Sequence, residues 1–313
     1  MVSATKEIST GNFSNKVSIK SKDEVNDLGN AINSMSTKIQ TLMESQVEAA
    51  RQEKELETAK AVQETLLPKS KMSSQILKVD SAYFSASECG GDWWGHLPTD
   101  SEVEFICIAD ATGHGAAAAI VTAMAYSSCV TISQVYTSIS ALKDAPHMML
   151  ERINRVLWGA GHGLTTMTFF AGFIHRRTGL LTFANAGHNP PLLIPRSTSD
   201  DRLKNNKFYT TLQSSGAPLG MLSDSTYKPK TMQLIPGDKL FLYTDGLIEC
   251  RNTGGQMWGK RSMLKTLENI VNSKAENISD SIVKEAFEFF GEQPIEDDVT
   301  VVVAETPLKW EKS

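Results

Sequence analysis

The residues in this chain best suited to chemistry are aspartates at the ends of apolar runs. Asp92 sits in ECGGDWWG, Asp110 ends EFICIAD, Asp245 lies in KLFLYTDG, and Asp297 with Asp298 precedes VTVVV. Strands that feed one sheet bring their ends together, and several carboxylates in one place repel one another unless cations neutralise them. Aspartate oxygens are hard ligands suited to Mg²⁺ or Mn²⁺. Zinc finds less here, because Cys89, Cys107, Cys129 and Cys250 form no CxxC pair and no Cys/His cluster. Gly90, Gly91, Gly113 and Gly246 stand beside the acids and permit the turns and close approaches such a site needs. A lone aspartate at a strand end is more often a turn or cap residue. Four at strand boundaries, with glycines beside them, shift the balance toward a metal site.

The elements that must position these acids begin at Lys78. VDSAYFSAS, EVEFICIAD, TMTFFAGFIH, LLTFANAG, KLFLYTDG and DVTVVVAE have strand character. Amphipathic segments near 146–158, 261–272 and 279–291 have the helical period. Gly115 to Leu142 holds no charged residue, yet it carries many serines and threonines and its apolar half is mostly alanine. That composition fits a helix packed closely on a sheet better than a bilayer span. Strands at both ends with long helices between them predict an α+β fold, a β-sandwich flanked by helices. The polar stretch from Arg196 to Lys207 reads as a surface loop.

Residues 1–67 differ from the rest. They contain no tryptophan or tyrosine and a single phenylalanine. Leu28, Ile32, Met35, Ile39 and Leu42 recur at alternating steps of four and three, the seam of a helix that pairs with another helix. In the same register Gln46, Ala49 and Glu53 are mostly polar, and Leu56, Ala59, Val62 and Leu66 resume out of phase, which predicts a local weakness or hinge. Pro68 ends this stalk. A net charge of −5 and an isoelectric point near 5.8 speak against a general nucleic-acid or anionic-membrane binder. The N-terminus has no apolar run of signal-peptide type, and the four cysteines read as reduced, packed thiols of a cytoplasmic protein.

In order, QETLLP, GGDWWG, ADATGHGAAAAIVTAMA, TTMTFFAGFIHRRTGLLTFANAGHNPPLLI, SSGAPLGM, GDKLFLYTDGLIECRN and EDDVTVVV resemble the SpoIIE-type branch of the metal-dependent protein phosphatases, the PPM family, over roughly Ala61 to Ala304. The resemblance implies an αββα sandwich with two Mn²⁺ or Mg²⁺ ions at one edge. Asp110, in DxxGHG, would bridge both ions. The Ala111 backbone carbonyl, Asp92 and Asp245 would complete the ligands, and Asp297 would hold the second ion. Asp298 matches a neighbouring position that is not usually a ligand, and Gly95 stands where many relatives have a further aspartate. Such a site acidifies a water between the ions and uses it for in-line attack on phosphorus, without a phosphoenzyme. The implied substrate is a phosphoserine or phosphothreonine on a protein, in this branch an anti-sigma-factor antagonist of STAS type. His114 is the nearest candidate acid by sequence, but its offset from Asp110 gives it no role by resemblance. His188 in NAGHNPP reads as a loop-stabilising residue, while His96, His147, His162 and His175 show no evident partner.

KEISTGNF, a connector with Val17 and Ile19, and SKDEVNDLGNAINSM resemble the later two-thirds of a HAMP signal relay, with Asn26 in place of its usual glycine. The expected domains are therefore 1–45 partial HAMP-like module, 46–68 coiled-coil linker, 69–306 phosphatase and 307–313 tail. A homodimer through the stalk is expected. So is a membrane connection only through a segment outside this chain, as in the cytoplasmic part of a receptor. The GGD of Gly90-Gly91-Asp92 is similar to that of diguanylate cyclases. That family needs Glu-Phe or a close variant next, on a hairpin well inside the domain, whereas Trp93 and Trp94 follow here. A non-catalytic dimeric scaffold with a phosphatase-like fold is the remaining alternative.

Overall fold

The computed structural model describes residues 24–98, 103–113, 115–136, 145–197, 199–204, 207–272 and 277–310, with residues 6, 8, 10–13 and 16–18 before them. Ile19, His114, residues 137–144 (which include the end of the uncharged segment) and the last residues of the tail, 311–313, lie outside the described residues. The chain divides into two compact units, Met1–Thr58 and Ala59–Ser313.

Helix α1 (Glu24–Leu66) begins in the first unit, and its last turns belong to the second. Glu24 and Asp27 lie in its first turn, where acids complement the helix dipole. Within the first unit Asn33 brackets Val17: its Oδ1 accepts from the Val17 N–H at 2.7 Å and its Nδ2 donates to the Val17 carbonyl at 2.8 Å. The seam residues Leu28, Met35 and Leu42 stand at least half exposed. The helix stops at Leu66, because a residue followed by Pro68 is pushed toward extended backbone.

In the second unit the chain runs β1 (Lys71–Ser73), β2 (Lys78–Phe84), β3 (Asp92–Pro98), β4 (Val103–Ala111), α2 (Ala116–Tyr136), α3 (Ala145–Gly161), β5 (Met167–His175), β6 (Leu180–Ala186) and β7 (Leu192–Ile194). It continues with β8 (Thr210–Thr211), β9 (Lys230–Gln233), β10 (Lys239–Tyr243), α4 (Gly246–Glu249), α5 (Gly259–Asn272), α6 (Ile278–Phe290) and β11 (Val299–Glu305). One sheet has the order β1-β2-β11-β10-β7-β8 and the other β3-β4-β5-β6-β9; every pairing is antiparallel. The expected α+β sandwich with helices on both faces is what forms.

The layers follow from alternation along the strands. On β4, Val103, Phe105, Cys107 and Ala109 face outward and pack with Ala125, Cys129 and Ile153 of α2 and α3. Ile106 and Ile108 face inward, against Leu240, Leu242 and Val302 of the opposite sheet. The outer face of that sheet, with Phe241, Tyr243 and Val301, is covered by Met263, Leu267 and Ile282 of α5 and α6. Among the described residues one helical window, Ala116–Ser133, is long and apolar enough to cross a membrane, with a mean hydropathy of 1.5. Ala118, Val121, Ala125 and Cys129 seat its inner face on the sheet, as the alanine-rich composition predicts. At one end of the inward register of β4 lies Glu104, which meets His96 Nε2 at 2.8 Å and accepts from the Ser74 hydroxyl. His96 therefore has a partner that its sequence neighbourhood does not reveal. At the other end of the same register lies Asp110.

Candidate active site

Four inward registers run out at one edge of the sandwich, and each delivers a polar group there. Asp92 opens β3 and pairs in register with Asp110 near the end of β4. Thr244 continues the inward series of Leu240 and Leu242, and Thr300 precedes Val302 in the inward series of β11. Thr244 and Thr300 are both fully buried, and Asp92 is 1% exposed. Their hydroxyls converge on one oxygen: Asp92 Oδ2 accepts from Thr244 Oγ1 at 2.7 Å and from Thr300 Oγ1 at 2.5 Å. The Thr300 N–H in turn donates to Thr244 Oγ1 at 3.0 Å, so the pair is itself braced.

Asp245 is the residue before α4, and no N–H of that helix's first turn donates to its side chain. Its neighbour Gly246 is required by space, since a Cβ there would strike the Asp298 carbonyl. This close approach sets the Asp245 turn against the Asp297–Asp298 turn. Asp298 is spent on structure: Oδ1 accepts from the Ala86 N–H at 2.8 Å, and Oδ2 accepts from Gly91 at 2.5 Å and Asp92 at 3.3 Å. Asp297 Oδ1 accepts from the Asp298 N–H at 2.8 Å. The Ala111 N–H donates to the Gly91 carbonyl at 3.1 Å, which keeps that turn beside the Gly-Gly-Asp segment.

Electrostatics link the acids. Asp110 is pushed up to about 8, first by burial and then by Asp245, Asp297, Asp298 and Glu249. Burial also raises Asp92 well above the usual carboxylate range, reinforced by Asp110 and opposed by the Thr300 and Thr244 hydroxyls. Asp297 is raised by burial, with Asp245, Asp298 and Glu249 adding to it. None of the groups acting most strongly on Asp110 is basic. Such concentrated negative charge in hard oxygen donors fits divalent cations of the Mg²⁺ and Mn²⁺ type. Among the described residues no three His, Cys, Asp or Glu side chains are drawn together tightly enough to hold an ion. The acids are neighbours in charge rather than in contact.

Residues 101–307, well over half of the chain, match the family model described as Stage II sporulation protein E (SpoIIE). The chain belongs to the SpoIIE family. Residues 1–41 match the HAMP domain model. The phosphoserine phosphatase RsbU of Bacillus subtilis is 29% identical over 253 residues, covering 80% of this chain and 69% of RsbU. Protein IcfG of Synechocystis sp. is 24% identical over 325 residues, covering 96% of this chain and 50% of IcfG. Thus the chain spans about half the length of some curated relatives it matches. The solved SiaA-PP2C domain of Pseudomonas aeruginosa superposes with a TM-score of 0.67 at 19% identity, over 82% of this chain and 98% of that domain, which shows the PP2C-type fold.

Within this SpoIIE-family fold, Asp110, Asp245 and Asp297 lie inside the matched span, and Asp92 precedes it. His188 is a loop residue, as its sequence predicts. Asn185 Oδ1 accepts from its N–H at 2.7 Å, Asn185 Nδ2 donates to its carbonyl at 3.0 Å, and Nδ1 meets Thr168 Oγ1 at 2.8 Å. Burial pushes His188 down to about 4. Sequence reasoning passed over Thr244, Thr300 and Glu249. The first two were open to discovery by carrying the strand alternation one step past the apolar run, and Glu249 by its place one turn after Asp245.

Proposed function

We propose that this chain is a metal-dependent protein phosphatase that hydrolyses phosphoserine or phosphothreonine on a protein substrate. One observation carries the reading: Asp110 faces Asp92 across two strands while Asp245 and Asp297 add their charge at the same edge. Asp92, Asp110, Asp245, Asp297 and the Ala111 carbonyl would hold two Mn²⁺ or Mg²⁺ ions. Bound there, the ions would supply an acidified water for attack and neutralise the phosphoryl oxygens. The protein's own contribution is to aim and restrain the ligands. Thr244 and Thr300 fix one oxygen of Asp92 and leave the carboxylate oriented. Asp298 ties the Gly91 and Asp92 N–H groups to the turn that bears Asp297. The β3–β4 register sets the two central acids at a fixed spacing.

Similarity to RsbU supports a phosphoprotein partner, and we assign it to the STAS-type anti-sigma-factor antagonists. The HAMP match is consistent with a signalling module near a membrane, and the exposed Leu28, Met35 and Leu42 seam supports a homodimer through α1. Residues 1–45, 46–68 and 69–306 would then be relay, linker and catalytic domain. A change of helix register near Gln46–Glu53 would alter the population of the metal-competent state. The scaffold alternative draws support from the absence, among the described residues, of a tight ligand cluster. Hydrolysis of para-nitrophenyl phosphate with Mn²⁺ separates the readings. The phosphatase reading expects turnover in the wild type and none in Asp110→Ala. Equal inertness of both, at saturating Mn²⁺ and after removal of residues 1–55, would favour the scaffold.

A further inference from the structure

The last turn of α1 grips the chain on both sides of Asp92. Gln63 is 5% exposed and spends both ends of its side-chain amide on one residue. Nε2 donates to the Gly90 carbonyl at 2.5 Å, and the Gly90 N–H donates to Oε1 at 3.1 Å. This is the exchange two backbone strands make, supplied here by a side chain that is donor and acceptor at once. On the far side of Asp92, Trp93 Nε1 donates to the Leu66 carbonyl at 3.2 Å. Gly90 has no room to shift toward the sandwich, since even a Cβ would meet the Tyr83 hydroxyl and the Asp298 carboxylate.

We propose that Gln63 is a positioning residue for Asp92. It fixes the path of the chain into β3 from two residues before the carboxylate, as the Leu66–Trp93 bond fixes it from one residue after. Gln63 touches neither cation nor substrate; it acts through Gly90. The inference rests on the metal-site reading above and goes beyond it by assigning to a helix residue, outside both sheets, control of a ligand's placement. Residues that orient a metal ligand from behind commonly alter metal affinity by about ten- to a hundredfold.

The test is Mn²⁺ binding to the full chain, followed by the electron paramagnetic resonance of free Mn²⁺ and by titration of phosphatase activity with Mn²⁺. The proteins compared are the wild type, Gln63→Ala, Gln63→Glu, Trp93→Phe and Thr306→Val. Gln63→Glu keeps the size of the side chain but sets an acceptor against the Gly90 carbonyl. Thr306→Val is the stability control, because it removes a buried hydroxyl bonded to the Ile235 and Asp238 carbonyls just beyond the opposite end of β11. Gln63→Ala and Gln63→Glu are expected to weaken Mn²⁺ binding about tenfold or more, with KM for para-nitrophenyl phosphate unchanged and kcat recovered at saturating Mn²⁺. Trp93→Phe should show a smaller shift of the same kind, and it keeps the question open to measurement if the Gln63 variants fail to fold. Mn²⁺ affinity within about twofold of wild type in the folded Gln63 variants (or in Trp93→Phe, should neither of those fold), or an equal loss in Thr306→Val, overturns the role of Gln63 alone. A wild type that binds no Mn²⁺ overturns the metal-site reading, and this inference with it.

Discussion

Asp92 and Asp110 stand directly opposite each other on neighbouring antiparallel strands. Like charges in that relationship destabilise a sheet, and both lie where burial already disfavours ionisation. The fold tolerates the pair because the surrounding cores are large and two hydroxyls brace one of the acids. A cost of this kind is expected at a site whose function lies in gathering negative charge.

That cost is measurable. Burial and the neighbouring acids hold Asp110 near 8 in the folded chain, against its ordinary 3.8. The folded state therefore retains a proton that the unfolded chain releases. The penalty is absent below the unfolded value and grows as pH rises toward 8. Asp110→Asn, neutral throughout, should exceed the wild type in metal-free stability at neutral pH by about 1–3 kcal/mol, with the gap closing as pH falls. Chemical denaturation in the presence of a chelator, across that pH range, checks both the sign and the slope. An Asn variant less stable than wild type at neutral pH contradicts the mutual repulsion.

Thr300→Val keeps the shape of the side chain and removes a donor to Asp92 Oδ2. Stability should fall by about 1–2 kcal/mol, the cost of leaving a buried carboxylate oxygen with one hydroxyl fewer. Thr244→Val should behave alike, and the double variant should lose less than the sum, because both hydroxyls serve one atom. Urea unfolding of the three variants tests this; strict additivity would argue that the two bonds are independent.

His188 gives a pH dependence of the opposite sense. It is held near 4 by burial, below its ordinary 6.5. Below about pH 6.5 the unfolded chain takes up a proton that the folded chain refuses, so stability falls as pH drops toward 4. Between neutral pH and about pH 5 the contribution lost is about 2 kcal/mol. His188→Gln should remove that part of the slope, read from urea midpoints at the two pH values. An unchanged slope would mean that the folded chain protonates His188 as readily as the unfolded chain does.

Much of this arrangement was legible in the sequence where period and polarity coincide. EFICIAD shows a strand, an alternation and a terminal carboxylate, and β4 forms with Asp110 at the end of its inward series. DWWG was harder. It forms β3, starting at Asp92 itself, but two adjacent tryptophans conceal the alternation because Trp93 and Trp94 enter different cores. The short strands β1, β7, β8 and β9 have too few residues to show any period. Gln63 opens the QETLLP motif, but its role was hidden for another reason. A buried amide that matches a backbone 27 residues away leaves no local mark. His96 is a similar case, since its partner Glu104 lies across a strand pair.

The α1 seam yields a prediction about assembly. Leu28, Met35 and Leu42 are 52%, 50% and 63% exposed in the single chain. Replacing Leu28 and Met35 with aspartate should convert a dimer to a monomer in light scattering, without change in the circular dichroism of the phosphatase domain. A wild-type chain that is monomeric at high concentration would remove the seam from the account.

The most direct measurement is the anomalous scattering of crystals of the full chain soaked in Mn²⁺. The account predicts two Mn²⁺ peaks at one edge of the sandwich, bounded by Asp92, Asp110, Asp245 and Asp297, and their disappearance in Asp110→Ala. Mn²⁺ bound elsewhere on the molecule, or four aspartates that remain apart at saturating Mn²⁺, would contradict it.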